Sequence, residues 1–198
     1  VHQLAFAPMI PILFAWQGPV IAGQAGMTLA TLIQLLGVSS MWLRTRAPKF
    51  GELIANQDYP ALENLFRRTT WQSSLAVVGL TGSFCLTLLV LNDLPWQITE
   101  KLANRFLPLS QAIWIATAMI VLHLMQCFAT YLRAHKHDPL WRVTIFSNLL
   151  LATAVSWGGA HFGPIALGVS MTTIYGCLTL PAIVLIWLAF RREQYSGV

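Results

Sequence analysis

Long apolar runs alternate with short polar intervals along the chain, and this pattern predicts a membrane protein built of helices. A helix needs about 20 apolar residues, at about 1.5 Å per residue, to cross the hydrocarbon core of a bilayer. Six runs are long enough, and none holds Asp, Glu, Lys or Arg in its interior. The predicted spans are residues 4–22, 27–43, 72–91, 109–132, 143–160 and 164–190. The predicted fold is therefore an all-α, polytopic bundle of six transmembrane helices, with residues 1–198 forming one transmembrane domain.

Polar intervals between the spans predict turns and connectors of different lengths. Residues 23–26 read GQAG and residues 160–163 read AHFG, and each is predicted to be a tight turn between two spans. Residues 92–108 are mixed in character and are expected to lie along the membrane surface. The longest polar interval, residues 44–71, is predicted to be a connector at the membrane surface and is called the connector below.

Each half of the connector carries apolar residues at i, i+3 and i+4, which is typical of a helix with one apolar stripe. Asp58 is a predicted N-cap, and Pro60 suits the first turn of the helix that follows. We expect two short amphipathic helices at the level of the lipid headgroups, and a solvated loop is the alternative. The stripes are Phe50, Leu53 and Ile54 in the first half and Leu62, Leu65 and Phe66 in the second.

Positive charge is divided unequally between the two sides that six spans define. Both termini and the connectors after the second and fourth spans share one side, which holds ten of the twelve lysines and arginines. Lys101 and Arg105 fall on the other side. Because cytoplasmic loops carry an excess of Lys and Arg, both termini are predicted to be cytoplasmic. The ten residues are Arg44, Arg46, Lys49, Arg67, Arg68, Arg133, Lys136, Arg142, Arg191 and Arg192.

Composition supports a membrane protein and argues against two other classes. The 198 residues are 56% apolar and only 10% charged, whereas soluble domains are about 25% charged. The net charge of +5 does not indicate nucleic-acid binding, because the basic residues flank apolar runs. Cys85, Cys127 and Cys177 lie inside apolar runs without metal-ligand spacing, so neither a disulfide, a metal nor a cofactor is predicted.

Four polar side chains inside the predicted spans are the candidate residues of a substrate path: Gln34, His123, Gln126 and Asn148. Unpaired polar groups are costly in hydrocarbon, so each should face another helix or a water-filled cavity. His123 and Gln126 are three residues apart and are expected on one helix face. Two functions stay open at this point: lining a path for a polar substrate, or hydrogen bonding between helices. His123 also suits proton relay.

Sequence motifs give an enzyme little support. No Ser/His/Asp set, GxSxG, HExxH or phosphate-binding Gly-rich loop is present in the sequence. His135, His137 and Asp138 resemble part of a metal site, but a basic loop is the favoured interpretation.

Two segments resemble a known family. The connector is similar to the cytoplasmic linker of the multidrug/oligosaccharidyl-lipid/polysaccharide exporter superfamily, in which a Pro, a short helix, a break and a Leu-rich helix precede paired basic residues. Those positions are Pro48, Leu53, Asn56, Asp58, Leu62, Leu65, Phe66, Arg67 and Arg68. Residues 131–142 resemble a loop of bacterial O-antigen and polysaccharide flippases, through Arg133, His135, Lys136, Asp138 and Pro139.

The resemblance implies a transporter of two helical lobes that face each other in a V, of which this chain is the C-terminal one. It implies flipping of an undecaprenyl-pyrophosphate-linked glycan, a precursor of lipopolysaccharide O-antigen or another polysaccharide, across the bacterial inner membrane by alternating access. The expected partners are membrane lipid, the lipid-linked glycan and a preceding N-terminal lobe. The residues expected to attract anionic headgroups at the cytoplasmic entrance are Arg44, Arg46, Lys49, Arg67, Arg68, Arg133 and Lys136.

Two alternatives remain from the sequence. A drug or metabolite cation antiporter of the same superfamily would need an acidic residue within the membrane, and the predicted spans hold none. An integral membrane enzyme that modifies glycans would use His123 or His135, and would need a nucleophile, a base and an acid together.

Overall fold

A computed structural model describes residues 9–94, 96–135 and 140–196, and describes side chains as far as residue 192. All regular structure within these ranges is helical, so the predicted all-α class is confirmed. A π-helical segment, Ile174–Thr179, joins the last two helices. The helices are α1 (Met9–Gln17), α2 (Pro19–Ala55), α3 (Tyr59–Asp93), α4 (Gln97–Ala103), α5 (Leu109–Ala134), α6 (Trp141–Phe162), α7 (Ile165–Thr173) and α8 (Leu180–Ser196).

Five stretches of helix among the described residues are long and apolar enough to cross a membrane, which agrees with a multi-pass membrane protein. The predicted sixth span, residues 4–22, is not confirmed. Its described part is α1, whose 9 residues cover about 13 Å, and residues 1–8 lie outside the described ranges. The five stretches are Pro19–Ala55, Tyr59–Asp93, Leu109–Ala134, Trp141–Phe162 and Ile165–Arg192.

The first turn within the described residues lies at Gly18, and the prediction of a turn at residues 23–26 is wrong. Gly18 has φ 84° and ψ 175°, which a residue with a side chain avoids, and Pro19 suits the first turn of α2. Residues 23–26 are helical, and a Cβ on Gly26 would lie 3.9 Å from Ile10 Cδ1. Gly26 therefore lies in the contact between α1 and α2 and does not change the direction of the chain.

The connector consists of the ends of two long helices, not of two separate short ones. α2 continues through Pro48 to Ala55, and α3 begins at Tyr59. The turn between them includes Gln57 in a left-handed conformation (φ 58°). A helix of 37 residues is about 55 Å long, whereas the hydrocarbon core is about 30 Å thick, so part of α2 must lie outside that core.

The buried residues of the two apolar stripes in the connector face other helices of the bundle. Phe50 and Leu62 are buried in one cluster with Phe66 and with Tyr131 of α5. The rings of Phe50 and Phe66 meet edge to face with their centroids 6.3 Å apart. The periodicity was therefore sound evidence of helix. The buried residues of the stripes pack against neighbouring helices and not against lipid.

The predicted N-cap at Asp58 is confirmed. Asp58 Oδ1 accepts a hydrogen bond from the backbone N–H of Ala61 (3.2 Å), which satisfies one of the free donors at the start of α3. Pro60 lies in the first turn, where the missing N–H has no consequence.

The spans alternate in direction, and arginines from four of them gather at one end of the bundle, called the basic end. Arg44 of α2 and Arg133 of α5 line one cavity there. Arg191 of α8 forms an ion pair with Glu63 of α3 at the same end. Three of the basic residues that were predicted to share a side, Arg44, Arg133 and Arg191, therefore lie at one end of the bundle.

The opposite end is held by hydrogen bonds between turns. Gln17 Nε2 donates to the carbonyl oxygen of Gly159 (2.9 Å), and Gln24 Nε2 donates to that of Asn104 (2.8 Å). The predicted second turn lies here at Gly163, which has φ 67° and separates α6 from α7. These contacts join α1 to α6, and α2 to the end of α4, at the end away from the arginines.

Helix α5 lies at the centre of the bundle, in contact with α2, α3, α7 and α8. Its buried residues include Ile115, Met119 and Leu122, which form the main apolar core with Leu32 of α2 and Leu167 of α7. A polar residue on α5 consequently meets another helix in almost any direction. Helix α5 can therefore bring polar residues into contact with several neighbouring helices.

Candidate functional site

A polar cavity of about 330 Å³ lies between α2 and α5 at the basic end and brings together predicted path and entrance residues. We call it the polar cavity. No residue that lines it, within the part of the chain that the structure describes, is acidic. Its lining residues are Ser40, Leu43 and Arg44 of α2 and Gln126, Thr130 and Arg133 of α5.

Helix periodicity explains why these polar groups share one wall. Gln126, Thr130 and Arg133 are spaced i, i+4 and i+7 on α5, and Ser40 and Arg44 are spaced i and i+4 on α2. From Arg133 to Gln126 the helix rises about 10 Å, so polar groups extend from the bundle end inward over that depth.

A hydrogen bond closes the inner end of the polar cavity. Ser40 Oγ lies 2.9 Å from Gln126 Oε1 and 2.7 Å from the carbonyl oxygen of Leu36, so its one hydroxyl proton is shared between two acceptors and joins α2 to α5. This contact leaves the amide N–H₂ group of Gln126 as a donor for a ligand with oxygen acceptors. With two guanidinium groups at the outer end, the cavity presents donors and positive charge, which suits an anion.

His123 faces a different helix from Gln126, although the two were expected on one face. His123 is completely buried, with Nε2 3.0 Å from Ser73 Oγ of α3 and 3.6 Å from Cys127 Sγ. Three residues turn a helix by about 300°, which leaves about 60° between the two side chains and is enough to face separate neighbours. The geometry matches hydrogen bonding between helices, and His123 does not line the polar cavity.

The Ser73–His123 pair has the spacing of a nucleophile and a base, but the described residues place no third group at the other ring nitrogen of His123. Both residues are fully buried, and no described residue forms a hydrogen bond with His123 Nδ1. A catalytic pair needs a third group to orient the base and a route for the substrate. The arrangement therefore gives the enzyme alternative no added weight.

The two other predicted path residues lie apart from the polar cavity. Gln34 lies on the exposed face of α2. Asn148 of α6 accepts a hydrogen bond at Oδ1 from the hydroxyl of Tyr175 (3.4 Å) in the π-helical segment. The described structure thus brings Gln126 to the cavity and leaves Gln34, His123 and Asn148 elsewhere.

The predicted entrance residues do not all line the polar cavity. Arg44 and Arg133 line the polar cavity. Lys49 forms an exposed ion pair with Glu52 (2.7 Å) near the C-terminal end of α2. Arg67 lines a second cavity, described below. Arg46 is partly buried and Arg68 is exposed, and neither lines the polar cavity; Lys136 lies outside the described residues.

A second cavity of about 440 Å³ lies between α3, α5 and α8, also at the basic end. We call it the aromatic cavity. Five of its eleven lining residues are aromatic, and the ion pair between Glu63 and Arg191 lies at its mouth. Its lining residues are Glu63, Phe66, Arg67, Thr70, Trp71, Ser74, Leu124, Phe128, Tyr131, Trp187 and Arg191.

Sequence reasoning missed Ser40, Thr130 and Trp187 as lining residues. Ser and Thr in membrane helices commonly bond to a carbonyl of their own helix, as Thr130 does to Gln126 (2.8 Å), so their presence alone signals little. The i, i+4, i+7 spacing of Gln126, Thr130 and Arg133 was the signal that could have found this wall.

Metal binding is not indicated by the described residues. They contain no group of three or more His, Cys, Asp or Glu that could hold an ion. Of the three residues considered as a partial metal site, His137 and Asp138 lie outside the described ranges, and His135 Nδ1 lies 3.0 Å from the carbonyl oxygen of Tyr131.

Comparisons with protein-family models, with curated proteins and with solved structures found no match. The resemblance of the connector to the exporter superfamily therefore stays a prediction from the sequence.

Proposed function

We propose that this chain is one lobe of a transporter that moves a lipid-linked oligosaccharide across the bacterial inner membrane by alternating access, without covalent chemistry. The polar cavity is the observation that carries the proposal. It combines two arginines at the bundle end with a polar wall that extends about 10 Å inward, inside a bundle of membrane-length helices. The family resemblance of the connector, which adjoins the polar cavity through Arg44, supports the same function.

The chemistry of the cavity fits the pyrophosphate of such a substrate. Arg44 and Arg133 offer planar guanidinium groups, which bind phosphate oxygens through paired hydrogen bonds, and Gln126 adds an amide donor deeper in. A volume of about 330 Å³ suits a charged headgroup, not a complete glycan. In this proposal the glycan occupies the space between this lobe and a second one, and the polyprenyl chain stays in the bilayer.

Binding tests the proposal without depending on a second lobe. We expect the detergent-solubilised chain to bind a polyprenyl-pyrophosphate oligosaccharide, as measured by thermophoresis with a fluorescent glycan. Arg44→Ala and Gln126→Ala should weaken binding by about tenfold or more, since a hydrogen bond to a charged group contributes about 1.5–3 kcal/mol. Arg105→Ala, which removes a positive charge at the opposite end, is the matched control and should leave the affinity unchanged.

Two results would contradict the transporter proposal in its present form. One is equal affinity in Arg44→Ala, Gln126→Ala and the unaltered chain, which would remove the polar cavity from the binding site. The other is tight binding of a lipophilic cation such as tetraphenylphosphonium with no binding of the pyrophosphate ligand, which would favour the cation antiporter. If the ligand binds, its translocation in proteoliposomes is the next measurement.

A further inference from the structure

The aromatic cavity has the shape and polarity of a site for an amphiphile. Its wall follows α3 from Glu63 to Ser74, a rise of about 16 Å, with charged residues at the outer end. Phe66 and Phe128 form its apolar interior, with ring centroids 6.0 Å apart. Trp71, whose side chain is 67% exposed, lies in the same wall, so the cavity borders the outer surface of the bundle.

Three buried polar atoms of this wall lack a hydrogen-bond partner among the described residues: Thr70 Oγ1, Ser74 Oγ and Trp187 Nε1, of which only the indole nitrogen can do nothing but donate. Nε1 of Trp187 is buried, and no described residue accepts a hydrogen bond from it. The indole ring is held in place by Phe128, whose centroid is 5.3 Å away, and by Phe66 at 6.2 Å. An indole N–H can only donate, so the cavity provides a fixed donor that an acceptor on a ligand would satisfy.

The mouth of the aromatic cavity carries net positive charge. Glu63 and Arg191 neutralise each other in their ion pair. Arg67, one helical turn from Glu63 on α3, is exposed and forms no ion pair with any described residue. The unbalanced charge at the mouth is therefore that of Arg67, and it favours an anion.

We propose that the aromatic cavity binds one anionic phospholipid. Its phosphate lies at Arg67, an ester carbonyl accepts the hydrogen bond of Trp187 Nε1, and an acyl chain lies along Phe66 and Phe128. A bilayer phospholipid combines a charged phosphate, ester carbonyl acceptors and apolar chains, and the cavity combines a positive charge, an unpartnered N–H donor and apolar wall residues. This site is separate from the polar cavity and does not depend on the transport function.

Native mass spectrometry of the detergent-purified chain tests the site with two lipids of equal chain length, phosphatidylglycerol and phosphatidylcholine. We expect one phosphatidylglycerol to remain bound at collision energies that remove phosphatidylcholine. Arg67→Ala should weaken phosphatidylglycerol binding about tenfold, because a charge-assisted contact is lost. Trp187→Phe keeps the ring and removes the donor, and we expect about a fivefold loss, in line with one neutral hydrogen bond.

Each variant has a matched control in the chain. Arg68→Ala removes the neighbouring exposed charge outside the cavity, and Trp157→Phe changes an exposed indole at the opposite end. Both controls should bind phosphatidylglycerol as the unaltered chain does. Arg44→Ala should also bind it normally, which separates failure of this site from failure of the polar cavity.

Three outcomes would overturn the proposal. Equal retention of the two lipids would show unselective lipid around the bundle. Equal losses in Arg67→Ala and Arg68→Ala would show attraction by general positive charge. Displacement of phosphatidylglycerol by millimolar inorganic phosphate would show an anion site in which the acyl chain plays no part.

Discussion

At the scale of single residues, His135 joins the end of α5 to α8. Its ring packs between Tyr131 and Phe190, with centroids 4.8 and 5.2 Å away, and its Nε2 is buried without a partner among the described residues. Burial lowers the pKa of His135 from its ordinary value of 6.5, and the hydrogen bond at the Tyr131 carbonyl opposes this only in part. The folded chain therefore favours the neutral imidazole.

The lowered pKa of His135 gives a pH dependence with a definite sign. Below pH 6.5 the unfolded chain binds a proton at this residue more readily than the folded chain, so stability falls as the pH decreases toward the folded pKa. We expect the melting temperature in detergent to fall between pH 7 and pH 5, and His135→Phe to reduce that fall. His161→Phe is the control, and a pH dependence identical in both variants would contradict the prediction.

The sequence identified His123 and Gln126 as polar residues within membrane-length helices, but it did not predict the directions in which their side chains point. The polar character of His123 and Gln126 was sufficient to single them out, and both are hydrogen-bonded between helices. Their separation by about 60° around α5, with α3 on one side and α2 on the other, decided that only Gln126 reaches a cavity. The arrangement of neighbouring helices, which a single sequence does not display, supplied that answer.

At the scale of helices, the packing of α7 on α5 depends on one glycine. A Cβ on Gly168 would lie 2.7 Å from Trp114 Cβ and 3.1 Å from the backbone nitrogen of Ile115, which is too close for real contacts. Neither neighbour can move without shifting the backbone of α5. By contrast, a Cβ on Gly79 of α3 would meet nothing within 4 Å.

Substitution of these two glycines by alanine should therefore have opposite consequences. Gly168→Ala is expected to destabilise the chain by roughly 1–3 kcal/mol, the cost of overpacking, whereas Gly79→Ala should leave it unchanged or stabilise it by up to about 1 kcal/mol through helix propensity. Thermal unfolding in detergent, followed by tryptophan fluorescence, measures both. A Gly168→Ala variant as stable as Gly79→Ala would show that α7 does not pack on α5 this closely.

Helix positions were largely predictable, and the errors arose where two different structural features have the same sequence pattern. Glycine marks both a turn and a close approach of helices, so GQAG was expected to end a helix, while the turn formed six residues or so earlier at Gly18. Likewise, an apolar stripe does not specify its partner: Phe50 and Leu62 cover each other and α5, where headgroups had been expected.

At the scale of the whole molecule, exposed tryptophans occupy two levels. Trp16, Trp96 and Trp157 are 64–67% exposed and lie near the opposite end, while Trp71 and Trp141 are 67% and 57% exposed and lie toward the basic end. Tryptophan is enriched where hydrocarbon meets water. Exposed tryptophans at both ends are typical of a helix bundle whose ends lie at the two interfaces of a bilayer.

Alternation of the spans predicts that Gln57, at the turn between α2 and α3, and Asn104, beside Gln24, lie on opposite sides of the membrane. Gln57→Cys and Asn104→Cys, made after Cys85, Cys127 and Cys177 are replaced by Ala, should react with an impermeant maleimide from opposite faces. In bacterial cells we expect Asn104→Cys to be labelled from outside the inner membrane and Gln57→Cys only after permeabilisation. Labelling of both from one face would refute the alternation.

The uninterrupted length of α3 affects where the bundle can bend. From Tyr59 to Asp93 it runs without interruption, with proline only in its first turn, whereas α2 contains Pro48 near the same end. Helix α3 is therefore a continuous helix of about 52 Å that lies beside a helix weakened at Pro48. Bending at this end of the bundle would therefore occur at Pro48 of α2, and the segment of α3 that carries Phe66 and Trp71 would move as one piece.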